Sequence, residues 1–430
     1  MGLQIGVARS DITPPVGVEL CGFGIFRERR STAVLEPLYA RAMIIDDGRT
    51  RAAIINCDLV GVDIVLTRAI RTRAERELDI SADHLMIACT HTHSGPATIP
   101  LVGWGERDPA YESRLPDLLM AALSEATARL APAELAYGQA PVEGIAYNRE
   151  RKDGSVPDRL DALLVTSHGK PVAFLSHYSC HPVVMCAETT LISGDFVGLA
   201  TNAVERDYDG VVGFYLQGSS GDINSMSCHK PPDIALKDLH DLSAAFADDL
   251  RAALRSAAPI AVNDLRAARR DIVLPQVIPD RAEVLRHIVN ADRLLGDTGL
   301  PAGPSRNYAR FLKETYEHIW TKFDRGELDG MPTEIQAIRM GNLVLAAHPS
   351  ELFYSFGRAI REATVPLTTF VVGYTNQFVG YIPEPWCYDV TTRHYSYPAH
   401  FVPVILGGFR FREDVGEVLS ESLLEMIRTV

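Results

Sequence analysis

The junction between Leu85-Met86-Ile87-Ala88 and Thr90-His91-Thr92-His93-Ser94-Gly95-Pro96 constrains this chain more than any other stretch. The apolar run reads as a strand. Side chains alternate faces along a strand, so His91 and His93 are expected on one side of it. Gly95-Pro96 then forces a turn. Both imidazoles are thereby expected at a strand's exit, where open α/β sheets hold their ligands. Two neutral imidazoles on one face suit a transition metal, zinc above all. Two ordinary histidines on a polar strand end are the alternative.

Elsewhere, strand-like and helix-like segments alternate. Residues 3–11 read as a strand ended by Thr13-Pro14-Pro15-Val16-Gly17. Residues 39–46 and 51–57 form a hairpin across Asp47-Gly48, 160–166 and 171–177 a second across His168-Gly169-Lys170, and 333–347 a third around Gly341-Asn342. Helical periodicity covers 64–78 and 109–130, and 134–140 reads as extended. Gly194-Asp195 precede a helix reaching about Tyr208, with Ser193 or Asp195 suited to cap it. Residues 211–216 read as a short strand, 350–363 as a helix and 368–374 as a strand. The charged, alanine-rich stretch 233–328 reads as a mainly helical subdomain that shapes the pocket mouth. No internal repeat or low-complexity linker is visible. The pattern predicts an α/β fold: a mixed β-sheet core flanked by helices, with a helical insertion, in one catalytic domain over 1–430.

The charge balance excludes one class of partner. With 42 basic against 55 acidic residues (net −13) and no dense Lys/Arg tract, phosphate-backbone binding is disfavoured. No apolar segment approaches the ~18 residues of a membrane span, and Met1-Gly2-Leu3-Gln4-Ile5-Gly6-Val7 lacks the features of a secretion signal. The seven cysteines (Cys21, Cys57, Cys89, Cys180, Cys186, Cys228, Cys387) are odd in number and scattered, without Cys-x-x-Cys. Several sit in apolar strand-like runs and read as small buried hydrophobes, and a reducing cytoplasm is the simplest setting. The expected partner is a small-molecule substrate, without nucleic acid or stable membrane association; homo-oligomerisation is left open.

A second histidine cluster, Ser176-His177-Tyr178-Ser179-Cys180-His181-Pro182, follows the apolar Val172-Ala173-Phe174-Leu175. His181 is the better ligand candidate because Pro182 fixes the local backbone; His177 reads as a core or supporting residue. In His348-Pro349-Ser350-Glu351, Glu351 is expected to open a helix, where a carboxylate can also act as a simple dipole-stabilising group.

Taken in order, these stretches resemble the N-terminal catalytic domain of the neutral ceramidase family (neutral/alkaline non-lysosomal ceramidase-like proteins). The matching features are Val7-Ala8-Arg9-Ser10-Asp11-Ile12-Thr13, Thr90-His91-Thr92-His93-Ser94-Gly95-Pro96, Asn148-Arg149, His181-Pro182, Leu191-Ile192-Ser193-Gly194-Asp195, Gly221-Asp222, Glu351 in Ser-Glu-Leu-Phe, and Tyr381-Ile382 after Tyr374-Thr375-Asn376. The resemblance implies one zinc per chain held by His91, His181, Glu351 and Tyr381. It further implies that His93 faces the substrate or assists the metal, and that Arg149 stabilises a developing oxyanion. The backbone N–H of Gly22 is a weaker candidate for that last role. Manganese or iron is an alternative metal.

The chain departs from the family at Gly221-Asp222-Ile223-Asn224-Ser225-Met226. The family carries Gly-Asp-Val-Ser-Pro-Asn there, with its serine regarded as catalytic; gap-free register puts Asn224 in that place, with Ser225 one position on as the alternative. Asn224 cannot be a nucleophile, so attack by metal-activated water is expected, with Asn224 as a positioning group and Asp222 retained beside it. The sequence also ends soon after these motifs, so the family's C-terminal immunoglobulin-like domain is expected to be absent. The resulting expectation is a zinc-dependent amidohydrolase acting on a soluble, non-peptide carbon–nitrogen bond, not on ceramide. A hydrolase of an ester, lactone or glycosidic bond, or a non-catalytic metal-containing binding module, remains the alternative.

Overall fold

Strand Tyr39–Asp46 is apolar almost throughout because both of its faces are buried. Ala40, Ala42 and Ile44 enter one core and Met43 and Ile45 another. Apolar runs of this kind recur along the chain, and they build a layered molecule. The computed structural model describes residues 2–297, 299, 301–391 and 395–430.

The first sheet has the order β4-β3-β2-β1-β5, with β1 Gln4–Asp11, β2 Tyr39–Asp46, β3 Arg51–Cys57, β4 Leu85–Cys89 and β5 Ala131–Pro132. The second has the order β9-β8-β7-β6-β10, with β6 Glu134–Pro141, β7 Arg159–Ser167, β8 Lys170–Tyr178, β9 Val212–Gln217 and β10 Ala258–Ile260. The third has the order β11-β12-β13-β14, with β11 Leu265–Leu274, β12 Met331–Met340, β13 Leu343–Ala347 and β14 Thr368–Val372. The helices are α1 Ile64–Leu78, α2 Pro109–Ala128, α3 Asp195–Glu205, α4 Pro232–Arg255, α5 Arg281–Gly296, α6 Pro304–Arg325, α7 Tyr354–Ala363, α8 Val402–Ile405 and α9 Val415–Thr429.

One topology recurs in the three sheets. Three strands pair antiparallel in sequence, a helix crosses over, and a fourth strand adds parallel to the third. The crossovers are α1, α3 and α7, and a second helix (α2, α4 or α9) then packs on the first two strands. The expectation of no internal repeat is thus corrected. Its signal is hidden because the first connections, 12–38, 142–158 and 275–330, differ greatly in length, and α5 and α6 lie inside the last. The inner faces share one core, joining Ile5, Met43, Leu163, Phe214, Ile338 and Phe370. Each outer face has its own core beneath its helices.

The predicted hairpins and the helix over 64–78 are present. In the stretch 233–328, three helices are interrupted by β10 and β11. Strand β11, Leu-Arg-Ala-Ala-Arg-Arg-Asp-Ile-Val-Leu, is half-exposed and carries the charge of a helix surface, which conceals its pairing with β12. Neither Ser193 nor Asp195 is the N-cap of α3; that residue is Gly194. The Ser193 hydroxyl accepts from the Asp195 N–H, and the Asp195 carboxylate accepts from Val184, Met185 and Phe196. Among the described residues no helix is long and apolar enough to cross a membrane.

Candidate metal centre

The carboxyl ends of the parallel strands of all three repeats meet on one side of the molecule. Strand β4 ends at Cys89, before the histidines, so strand alternation is not what brings His91 and His93 together. His91 has φ +66°, a left-handed conformation that is costly for a residue with a Cβ. Its N–H donates to Leu59 O, which helps hold it there. His181 follows β8, and its backbone N–H donates to Ile223 O. Glu351 does not open a helix: Glu351-Leu352 pair in parallel with Tyr381-Ile382, Glu351 opposite Tyr381, and α7 starts at Tyr354. That two-residue pairing joins two expected ligands thirty positions apart and is too short to leave a periodic signal.

The donor atoms converge. Glu351 Oε2 lies 3.0 Å from His181 Nε2 and 3.4 Å from His91 Nε2. The Tyr381 hydroxyl is 3.4 Å from His181 Nε2. The His91 and His181 ring centroids are 5.0 Å apart. The far nitrogens are anchored: His91 Nδ1 is 2.6 Å from Val60 O, and His181 Nδ1 is 2.7 Å from Ser220 O. A ring nitrogen facing a carbonyl must carry the proton, so both Nε2 atoms turn bare lone pairs toward the carboxylate.

Acceptors packed this closely need a cation between them. Burial, then the charge of Arg149, lowers His181 to about 4, which opposes a proton in that role. Ligands at 2.0–2.1 Å around a tetrahedral ion lie about 3.3 Å apart, so the spacing of this nitrogen and oxygen set fits zinc.

His93 joins the group. Its Nε2 is 3.1 Å from His91 Nε2, and His91, His93 and His181 each offer a nitrogen within 4.8 Å of the others. Burial, then the two neighbouring imidazoles, pushes His93 well below its ordinary value, and its buried Nδ1 has no hydrogen-bond partner. Arg149 lies behind Tyr381, donating to its hydroxyl (2.5 Å), to Gly221 O (2.8 Å) and to Asn224 Oδ1 (3.3 Å). Asn224 therefore touches Arg149 rather than the donors, and its Nδ2 faces Cys228 Sγ. Ser225 turns away, its hydroxyl donating to Ser227 O.

Asp222 is not brought to the donor cluster. Its oxygens accept from the Tyr354 N–H at the start of α7 and from Asn148 Nδ2, both at 2.7 Å. Burial raises it to about 6. The Gly22 N–H is likewise engaged, by Trp104 O. His177 stacks on Phe370 and faces Val371 O between the second and third sheets, as a core residue. Sequence reasoning named Tyr374 only as part of a motif and gave it no place in the site, where its ring stacks 4.1 Å from His91 and its hydroxyl meets Ser220 Oγ. It missed Trp104, Phe378 and Tyr397, which line the pocket beside the donors. Isolated aromatics in loops carry no sequence signal for this.

The fold and site define an α/β protein with a cluster of three histidines, able to hold a metal ion, at its strand ends. Residues 3–227 match the family model for neutral/alkaline non-lysosomal ceramidase, N-terminal, and the chain belongs to that family. Neutral ceramidase of Pseudomonas aeruginosa is 25% identical over 254 residues, covering 53% of this chain and 38% of that protein. Neutral ceramidase of Mycobacterium tuberculosis is 23% identical over 458 aligned positions, covering 89% of this chain and 72% of that protein. Among solved structures, neutral ceramidase from Pseudomonas aeruginosa superposes with a TM-score of 0.75 at 18% identity, over 99% of this chain and 74% of that one. A ceramidase complexed with C2 gives 0.76 at 17%, over 100% and 76%. At these identities the structural likeness establishes the fold.

Proposed function

We propose that this chain is a zinc-dependent hydrolase of a soluble amide other than ceramide, working as one catalytic unit in the cytoplasm. The observation that carries this reading is the set of bare His91 and His181 Nε2 lone pairs facing Glu351 Oε2 at 3.0–3.4 Å, with each Nδ1 fixed on a carbonyl. His91, His181, Glu351 and Tyr381 would hold the ion, which when bound acidifies a water and polarises a carbonyl.

The residues around them divide the remaining tasks. His93 rests neutral beside the donors, with no partner on its Nδ1, and would take up a proton only transiently before passing it to the leaving nitrogen. Arg149 keeps a cation beside the reacting carbonyl, and its buried Nε has no protein partner. Asn224 orients Arg149 through Oδ1 and cannot serve as nucleophile, which supports a substrate and route different from those of the ceramidases. Asp222 positions the loop by capping α7.

Metal analysis of protein purified without a histidine tag tests the reading, with about one equivalent of zinc expected. Less than about a tenth of an equivalent refutes it. With the same preparation, chelator-sensitive release of amine from amides, absent with esters and glycosides, separates the amidase reading from its alternatives.

A further inference from the structure

Beside the donors lies a chamber of about 30 Å³. His91, His93, Glu351 and Tyr381 form its polar end, and Leu101, Trp104, Phe378, Val402 and Ile405 its apolar end. Trp104 is held on several sides. Its ring lies 5.9 Å from Phe311 of α6 and 6.1 Å from Phe401. The backbone of Gly24 lies against the indole, where an added Cβ would come 2.3 Å from Trp104 Cδ2. The backbone of Trp104 is tied to Gly22 and Leu101. A larger groove of about 510 Å³ lies nearby, lined by Phe26, Leu101, Val102, Arg310 and Glu314. Leu101 lines both spaces, whereas Trp104 faces only the chamber.

We infer that this chamber is an acyl pocket for a short aliphatic chain, and that Trp104 is the specificity-determining residue that ends it. The inference rests on the amidase reading above and names its substrate class: N-acyl amides with an acyl chain of about two to four carbons. A void of this size holds only one or two waters and is far smaller than an engineered cavity of about 150 Å³ that binds benzene. Hydrolysis breaks the C–N bond and joins a water oxygen to the acyl carbon; one water proton goes to the nitrogen. The amine then leaves protonated and the acid as carboxylate. An ammonium ion in a wall of Leu, Val, Ile and Trp would be uncompensated, so the apolar end takes the acyl chain.

The test measures binding of sodium acetate, butyrate, octanoate and dodecanoate to the zinc-loaded protein by calorimetry. The same acids, joined to one fixed amine, are assayed for amine release. Butyrate is expected to bind at least about tenfold tighter than octanoate, a methylene that fails to fit being worth about 10-fold or more. Trp104→Ala should reverse that ranking. Trp104→Phe, which keeps a packed ring, should extend the accepted chain by one or two carbons, with circular dichroism confirming the fold of both. Octanoate binding wild type as tightly as butyrate, no acid binding, or an unchanged ranking in folded variants overturns the inference. Cleavage of no amide, with the carboxylate ranking intact, removes the amidase reading and leaves the chamber's length selection standing.

Discussion

The donor end and the apolar end of the pocket are fixed in different ways. At the donor end, His91 and His181 are locked by main-chain carbonyls of Val60 and Ser220, and Glu351 by the strand it forms with Tyr381. At the apolar end, Trp104 is positioned by ring contacts to Phe311 of α6 and to Phe401, just before α8. The first end belongs to the repeated topology and the second to segments added upon it. The chemistry is therefore expected to depend on strand-end residues, and the choice of substrate on the additions.

The strongest way to break this contrast is His181→Ala. It should abolish stoichiometric zinc binding and lower kcat/KM by more than the 10–100-fold typical of a ligand's outer partners. Retained zinc and turnover would remove His181 from the centre. Next, Arg149→Met should cost about 100- to 1000-fold in kcat, as for loss of an oxyanion donor, with metal content unchanged. A fall in metal content instead would make Arg149 a structural support of Tyr381.

Three smaller effects test how rigid the two ends are. His348 lies just before Glu351, its Nδ1 3.0 Å from Ser350 Oγ. Burial, then His177, lowers it from 6.5 to about 3. The folded state holds it neutral while the unfolded chain takes up a proton below about 6.5, so stability falls as pH drops from there toward 3. At pH 5 the loss is about 2 kcal/mol. His348→Gln should flatten that limb in denaturant titrations between pH 7 and 5, and an unchanged slope would show that another group carries it. At the other end, Gly24→Ala forces a Cβ against the Trp104 indole. The expected cost is about 1–3 kcal/mol in unfolding free energy, with zinc content untouched. Least is expected of Asn224→Ala: about a tenfold loss in kcat through a loosened Arg149, metal binding preserved. Turnover identical to wild type would end its positioning role.

What the sequence made legible follows the same division. Helix α1 and the three hairpins were readable because their apolar periods or turn residues are local. The candidates His91, His181, Glu351 and Tyr381 could be named through family motifs, and the geometry does bring them together. Their placement was not readable. His91 needs a left-handed backbone, and Glu351 needs a partner strand of two residues. Asp222 was named for chemistry because its motif lies beside Asn224, but its hydrogen bonds run to α7 and Asn148. The threefold topology was concealed by unequal connections and by charged β11.

Because His91 comes from the first repeat, His181 from the second, and Glu351 and Tyr381 from the third, an ion here would stitch together chain segments far apart in sequence. Such a cross-link rewards only the fully assembled molecule, since closing loops this long before the site exists has an entropic cost and no return. Loading the centre should then sharpen the unfolding transition as well as raise its midpoint, joining three look-alike layers into a single cooperative unit.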